Sequence, residues 1–340
     1  MRVLVIGGTG FLGGAITQAA LNDGYDVDVL SRRQLKSVHP RLTYLIGDRY
    51  SSLPLLDKTY DFVFDTCAFE PEAIQVLLDN LELEQLSRYV FISSASVYED
   101  YSFPRISEKE DLHGASSKDL ELAQSLSVSE RTSALSYGYS YGPLKRECEI
   151  LLEKELGDKT TILRCGLLVG AGDYSDRLTW WVRRLDQSGE AICPKPKERN
   201  VQLIDVRDAA NFAVKTAKDN KSGIFNLTGH HVTFEKLLNI IKDCTKSGVS
   251  LNWVSLKSFT NQNLAPWSDI PLVFPDIESL KYFFDIDTNK ATEAGLVLRE
   301  LEETILNLLE WDRERRDRTL KCGYSIETEQ AIASDQNSHD

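Results

Sequence analysis

Short apolar runs recur along the first half of the chain, at residues 3–6, 27–30, 42–46, 62–64, 89–92 and 161–163. Most are separated by stretches whose apolar positions return at helical spacing, as in 15–21 and 73–81. Continuous apolar runs of this length suit strands buried on both faces, and strands alternating with helices predict a doubly wound parallel α/β sheet. A helix is expected over 143–156, where Leu144, Cys148, Leu151 and Leu152 share a face, and the serine-rich, charged stretch 100–136 before it reads as a loop. Beyond Gly170 the pattern is mixed. Helices are expected at 176–187, 234–244 and 298–311 and short strands at 201–204 and 224–227, as in a smaller lobe sharing elements with the sheet. The predicted organisation is a nucleotide-binding domain at 1–170 with 200–230 returning to it, a substrate lobe at 171–322 and a polar, loosely held tail at 323–340.

The first apolar run ends in Gly7-Gly8-Thr9-Gly10-Phe11-Leu12-Gly13 and passes directly into a helix-competent stretch. Glycines at this spacing let the strand turn tightly, let the backbone approach a pyrophosphate and let the helix pack on the strand, while the first N–H groups of the helix face the anion. This is a dinucleotide site of Rossmann type, with Gly7, Thr9, Gly10, Phe11, Leu12 and Gly13 as its phosphate-side residues. After the second run stand Ser31, Arg32 and Arg33, where an NAD site would place a carboxylate for the ribose 2′-hydroxyl. Guanidinium groups match a phosphate and stack on adenine, so NADP is favoured over NAD.

Composition narrows the partners. The chain carries a net charge of −13 over 340 residues, which argues against nucleic acid or an anionic membrane as the main partner. No apolar stretch approaches the roughly 20 residues that cross a bilayer, and the first strand starts too early for a signal peptide, so a cytoplasmic protein is expected. The six cysteines show no metal-ligand or paired spacing; reduced, mostly buried thiols and no metal site are expected.

Tyr141-Gly142-Pro143-Leu144-Lys145 holds the sequence's one tyrosine followed four residues later by lysine, which places both on one face at the start of a helix. A tyrosine titrates near 10 when unperturbed, so acid–base work near neutrality calls for a neighbouring cation, which Lys145 is expected to supply. Upstream, Phe91-Ile92-Ser93-Ser94-Ala95-Ser96-Val97-Tyr98 puts serines at the carboxyl end of a strand, where ligands bind in open α/β sheets. With these motifs the chain resembles, over about residues 1–312, the extended short-chain dehydrogenases/reductases of the NAD-dependent epimerase/dehydratase type. The resemblance implies that Ser94, Tyr141 and Lys145 are catalytic, Ser94 orienting a substrate oxygen toward Tyr141 and Lys145 also holding the nicotinamide ribose. It further implies that Asp48 lies near the adenine and that Cys67 and Ala68 pass the nicotinamide-side ribose, positions that could equally be structural. The Asp205 to Asp208 turn matches a structural clasp of that family.

The chain also departs from the members that act on nucleotide sugars. Their substrate-contacting asparagine is replaced by Leu167, and their diphosphate-clamping arginine by Val201, with Arg199 two residues away as a substitute. Ser96, Tyr174, Arg177 and Trp180 are the other candidate substrate residues, and Trp180 and Trp181 are not expected to face the same side of one helix. Three readings follow: an NADP-dependent oxidoreductase acting on a small organic hydroxyl or carbonyl; a nucleotide-sugar epimerase/dehydratase; and a non-catalytic relative, RNA-binding or regulatory, suggested by the likeness of Phe225-Asn226-Leu227-Thr228-Gly229 to chloroplast stem-loop RNA-binding proteins. A homodimer is left open.

Overall fold

Strand β1 (Arg2–Ile6) sends Val3 and Val5 into one apolar layer and Leu4 and Ile6 into another, so the strand is buried on both faces. In the computed structural model, which describes residues 1–33, 35–131 and 133–337 (the side chains of 335–337 excepted), the same division runs across the sheet. Strands β2 (Asp26–Ser31), β3 (Leu42–Ile46), β4 (Phe62–Asp65), β5 (Arg88–Ser94) and β6 (Thr160–Cys165) follow in the chain. Helices α1 (Phe11–Asn22), α2 (Pro71–Leu78), α3 (Ser117–Ser125), α4 (Ala134–Tyr137) and α5 (Tyr141–Leu156) lie between them. The second half adds β7 (Leu167–Val169), α6 (Arg177–Leu185), β8 (Glu190–Pro194), β9 (Asn200–Asp205), α7 (Val206–Lys218), β10 (Gly223–Leu227), β11 (His230–Thr233) and α8 (Phe234–Thr245). It continues with β12 (Ser250–Val254), α9 (Leu256–Asn261), α10 (Asn289–Glu293), α11 (Leu301–Arg313) and α12 (Ile326–Asn337).

Among the described residues, seven parallel strands form one sheet in the order β10-β6-β5-β4-β1-β2-β3. Helices α1 and α7 cover one face and α2 and α5 the other. The expected doubly wound architecture is what the chain adopts. The return of the chain is sharper than its outline in the sequence. Helix α7 packs on α1 and β10 pairs with β6, whereas β9, only one residue before α7, belongs to a separate sheet, β11-β9-β7. That sheet, the β12-β8 pair and helices α6, α8, α11 and α12 enclose a second core around Trp181, Leu237, Ile241 and Ile305.

Two expectations are corrected here. The polar stretch after residue 323 is not loosely held up to residue 337. It forms α12, which buries Ile332 and brings Glu329 onto Arg184 at 2.7 Å, and Gly323 lies directly against the Trp180 indole. The loop expected over 100–136 contains α3, started by a reciprocal capping box between Ser116 and Asp119. No helix among the described residues is long and apolar enough to cross a membrane, and the cysteines among them are free thiols.

Candidate active site

The carboxyl ends of β1 to β6 converge on a cleft of about 400 Å³. Gly7, Arg32, Asp48, Cys67, Ser94 and Cys165 lie at or just beyond these ends, and α1 starts at the point where the strand order reverses. At the turn after β1, a Cβ on Gly13 would stand 2.1 Å from the Gly7 carbonyl oxygen, so helix and strand approach as closely as only glycine permits. Gly10 caps α1 without a side-chain hydrogen bond, which leaves the first-turn N–H groups for an anion. Thr9, Gly10, Phe11, Leu12 and Gly13 line the cleft here, and the cradle fits the diphosphate of a dinucleotide.

At the ends of β2 and β3, where the sequence places the adenosine, Arg32 and Asp48 line the cleft. Arg33 is exposed and outside the lining, its N–H donating to the buried Ser31 hydroxyl at 3.1 Å. Asp48 accepts from the Tyr50 N–H at 2.8 Å, shaping its own loop. Beside it is a residue the sequence did not single out. Arg49 is buried, pairs with Asp65 through both terminal nitrogens at 2.8 and 2.9 Å, and Tyr89 donates to the same carboxylate at 2.7 Å. Arg49 and Tyr89 hold the Asp65 carboxyl below its ordinary value against the opposing effect of burial. The pair ties the loop after β3 to the end of β4, and so joins two stretches of the cleft wall.

Helix α5 carries the candidate pair, Tyr141 and Lys145. It comes close because Gly142 has no side chain: a Cβ there would stand 2.0 Å from the Ser96 carbonyl oxygen. Tyr141 and Lys145 both line the cleft with Ser94. The Lys145 ammonium donates to the Ala68 and Ile92 carbonyls, each at 2.7 Å, and lies 4.6 Å from the Phe91 ring centre. Two of its three donors are thus used and one is left for a ligand. Burial pushes the Tyr141 phenol up, and its Ser94 hydrogen bond pulls it partly back. Burial holds the Lys145 ammonium itself below the usual lysine range.

The candidate substrate residues divide. Tyr174 lines the cleft, together with Cys165, Gly166 and Leu168 after β6. Ser96 is outside the lining and sits beneath Ser94, the two hydroxyls 3.1 Å apart. Trp180 is corrected: it is buried in the second core, edge-on to Trp181 at 4.7 Å and against Tyr324 at 4.4 Å. Arg199 is corrected too, since its guanidinium donates to the Lys195 and Pro196 carbonyls of its own loop at 2.6 and 3.1 Å. Val201 is fully buried in the second core, and Leu167 packs against it. The turn at 205–208 is a clasp: Asp205 caps α7 and accepts from Thr304, while Asp208 pairs with Arg299 at 2.7 Å.

Residues 126–131 and 134–137 bring a strap to the edge of the cleft that sequence periodicity did not disclose. Arg131 and Ala134 line it. The Arg131 guanidinium donates to Glu70 at 2.6 Å, lies 3.6 Å from Glu72 and stands 4.6 Å over the Tyr50 ring. Phe69 packs beneath, against Tyr137 and Tyr141.

Comparison with known proteins agrees with this architecture. Residues 3–69 match the NAD dependent epimerase/dehydratase family, and the likeness to that family expected from the sequence is borne out. The fold is shared by MoeE5 solved with UDP-glucuronic acid and NAD, at 21% identity and TM-score 0.62 over 93% of this chain and 100% of that one. It is shared too by the UDP-glucuronic acid 4-epimerase of Bacillus cereus solved with NAD, at 15% identity and TM-score 0.66 over 92% and 97%. A curated relative, the chloroplast stem-loop binding protein of 41 kDa b from Arabidopsis thaliana, is 24% identical over 268 residues. The match takes in 73% of this chain and spans 63% of that relative's length.

Proposed function

We propose that the protein is a nicotinamide-dependent hydride-transfer enzyme in which Tyr141 is the acid/base at the reacting oxygen. The observation that carries this reading is the convergence of Ser94, Tyr141 and Lys145 on the cleft that begins at the glycine turn. When bound, the nicotinamide supplies the hydride donor or acceptor. Ser94 holds the substrate oxygen within reach of the phenol; Tyr141 takes the hydroxyl proton as a carbonyl forms and returns it in the reverse direction. With the cofactor bound, the remaining Lys145 donor would hold its ribose. Incubating the protein with reduced and oxidised cofactors and a panel of ketones, alcohols and UDP-sugars, followed by nicotinamide absorbance and product analysis, tests the reading. Absence of turnover on every member of a broad panel by cofactor-loaded protein would count against it.

The proposed cofactor is NADP, because Arg32 stands at the cleft wall where an NAD site places a carboxylate. Arg32→Ala is expected to weaken NADPH about ten- to hundredfold and leave NADH nearly unchanged, as befits loss of one charge-assisted contact of about 1.5–3 kcal/mol. Fluorescence titration with both cofactors checks this; equal losses for the two would show that the guanidinium serves adenine or nothing.

A second reading, that the cofactor is recycled in place by an epimerase/dehydratase, is favoured by the Arg131 strap. An internally recycling enzyme gains from slow cofactor release, and the largely buried Arg131–Glu70 contact, which holds Arg131 at the cleft edge, would oppose release. Glu70→Gln is expected to speed NADP(H) dissociation about tenfold, the rate equivalent of about 1.4 kcal/mol. Stopped-flow displacement measures it, and an unchanged rate would remove the strap from the argument. The stem-loop relative does not carry over, because a net charge of −13 opposes phosphate-backbone affinity and the three catalytic positions are intact.

A further inference from the structure

Helix α6 begins at Arg177, a candidate substrate residue that lies outside the lining of the cleft, with its guanidinium 4.3 Å over the Trp267 ring centre. The far end of α6 meets the last segment of the chain, and a second cavity of about 250 Å³ opens between them. Trp180, Arg183, Arg184 and Gln187 stand on one side of it, and Ser325 and Ile326, at the start of α12, on the other. It shares no lining residue with the cleft. In a chain of net charge −13, this cavity is lined by two arginines and, among the described residues, by no carboxylate.

The two arginines differ in what they have left to give. Arg183 is spent: its Nε and Nη2 donate to Asp312 at 3.0 and 2.7 Å, and its Nη1 donates to the Arg318 carbonyl at 2.7 Å. Arg184, only 8% exposed, places Nε 2.8 Å from both Glu329 oxygens, and Nη2 donates to the same carboxylate at 2.7 Å and to the Glu190 carbonyl. Its Nη1 is buried and meets no acceptor among the described residues. A buried N–H left unpaired costs its desolvation, so the Nη1 edge calls for an oxygen that the protein does not itself provide. The start of α12 is the second donor group. The Ser325 hydroxyl accepts from the Thr328 N–H at 3.2 Å, and the first-turn N–H groups before it have no partner inside the helix. A helix N-terminus favours an anion, and Gly323 carries the chain to it directly against the edge of the Trp180 indole.

We propose that this cavity is an accessory oxyanion site, which takes a phosphate or a small carboxylate onto the free edge of Arg184 and the first turn of α12. Its volume lies below the roughly 300–1,000 Å³ of sites for drug-sized ligands, which limits the occupant to a small anion. An anion held there ties α6 to α12 and stabilises the C-terminal segment without competing for the cleft. The site stands apart from the hydride-transfer reading and does not depend on it.

The test is calorimetric titration of the full chain with inorganic phosphate and with malonate, after saturation with NADP to keep both probes off the glycine turn. At least one is expected to bind saturably and to raise the Tm. Arg184→Gln combined with Glu329→Gln, which puts a neutral hydrogen-bonded pair in place of the ion pair, is expected to weaken that probe about tenfold or more with cofactor affinity unchanged. Gln187→Glu changes an exposed residue, so the fold is retained, and it sets a carboxylate at the cavity wall; the same direction of loss is expected. Binding of phosphate alone assigns a phosphate site, and binding of malonate alone a carboxylate site. Failure of both probes to bind, or undiminished binding by either variant, overturns the proposal. Because the readout is binding to cofactor-loaded protein, failure here leaves the hydride-transfer reading untouched.

Discussion

Tyr141→Phe is expected to lower turnover by orders of magnitude and to leave cofactor binding within about twofold of wild type, because the substitution removes one oxygen and no packing surface. General acid–base catalysis contributes roughly 10²–10⁴-fold, and the loss is expected in kcat and kcat/KM together. The Phe69 contact that seats the Tyr141 ring at 6.2 Å is available to phenylalanine as well, so the helix start is retained. Steady-state kinetics on the first substrate identified, together with NADPH titration of the variant, checks both halves. A variant with wild-type kcat would move the proton-transfer role away from Tyr141. Tyr137, whose buried hydroxyl lacks a partner, would be the next to examine.

Glu149→Ala is the substitution with the largest expected cost in stability. Glu149 lies two turns along α5 from Tyr141 and is fully buried with Arg164, whose Nε and Nη2 reach its two oxygens at 3.0 and 2.7 Å. Ser93 donates to the same carboxylate at 2.6 Å, and Arg164 also donates to Tyr98 at 3.2 Å. Removing the carboxylate leaves a fully buried guanidinium uncompensated, which costs about 3–5 kcal/mol. The anchor that sets α5 against the end of β5 goes with it, so Tyr141 also loses its fixed distance from Ser94. Urea unfolding of the variant measures the first effect, and a loss under about 1 kcal/mol would show that Arg164 finds water or another acceptor.

What the sequence disclosed is what short-range pattern encodes. Six sheet strands were legible because apolar runs need no partner to be recognised, and the glycine turn and the Tyr141–Lys145 spacing are local geometry. The elements that escaped depend on residues distant in the chain. Arg49 is an ordinary polar residue until Asp65, sixteen positions on, is brought beside it by the pairing of β4 with β1. Arg131 lies in a serine-rich stretch without periodicity, and its meaning comes from Glu70 and Tyr50. Trp180 looked like a ligand contact because aromatic residues serve both pockets and cores, and only the arrival of Tyr324 and Gly323 from the end of the chain decides between them.

The late return of the chain to its first sheet bears on synthesis. Until residue 227 has emerged from the ribosome, β6 presents an unpaired edge and α1 an uncovered apolar face, so the half of the molecule made first remains unfinished while the second half is translated. An open edge of Thr161, Ile162 and Leu163 is the sort of template on which nascent chains associate wrongly. Every residue that lines the cleft, up to Tyr174, is made before that edge is closed, so the site's own side chains wait on a segment that contributes none of them.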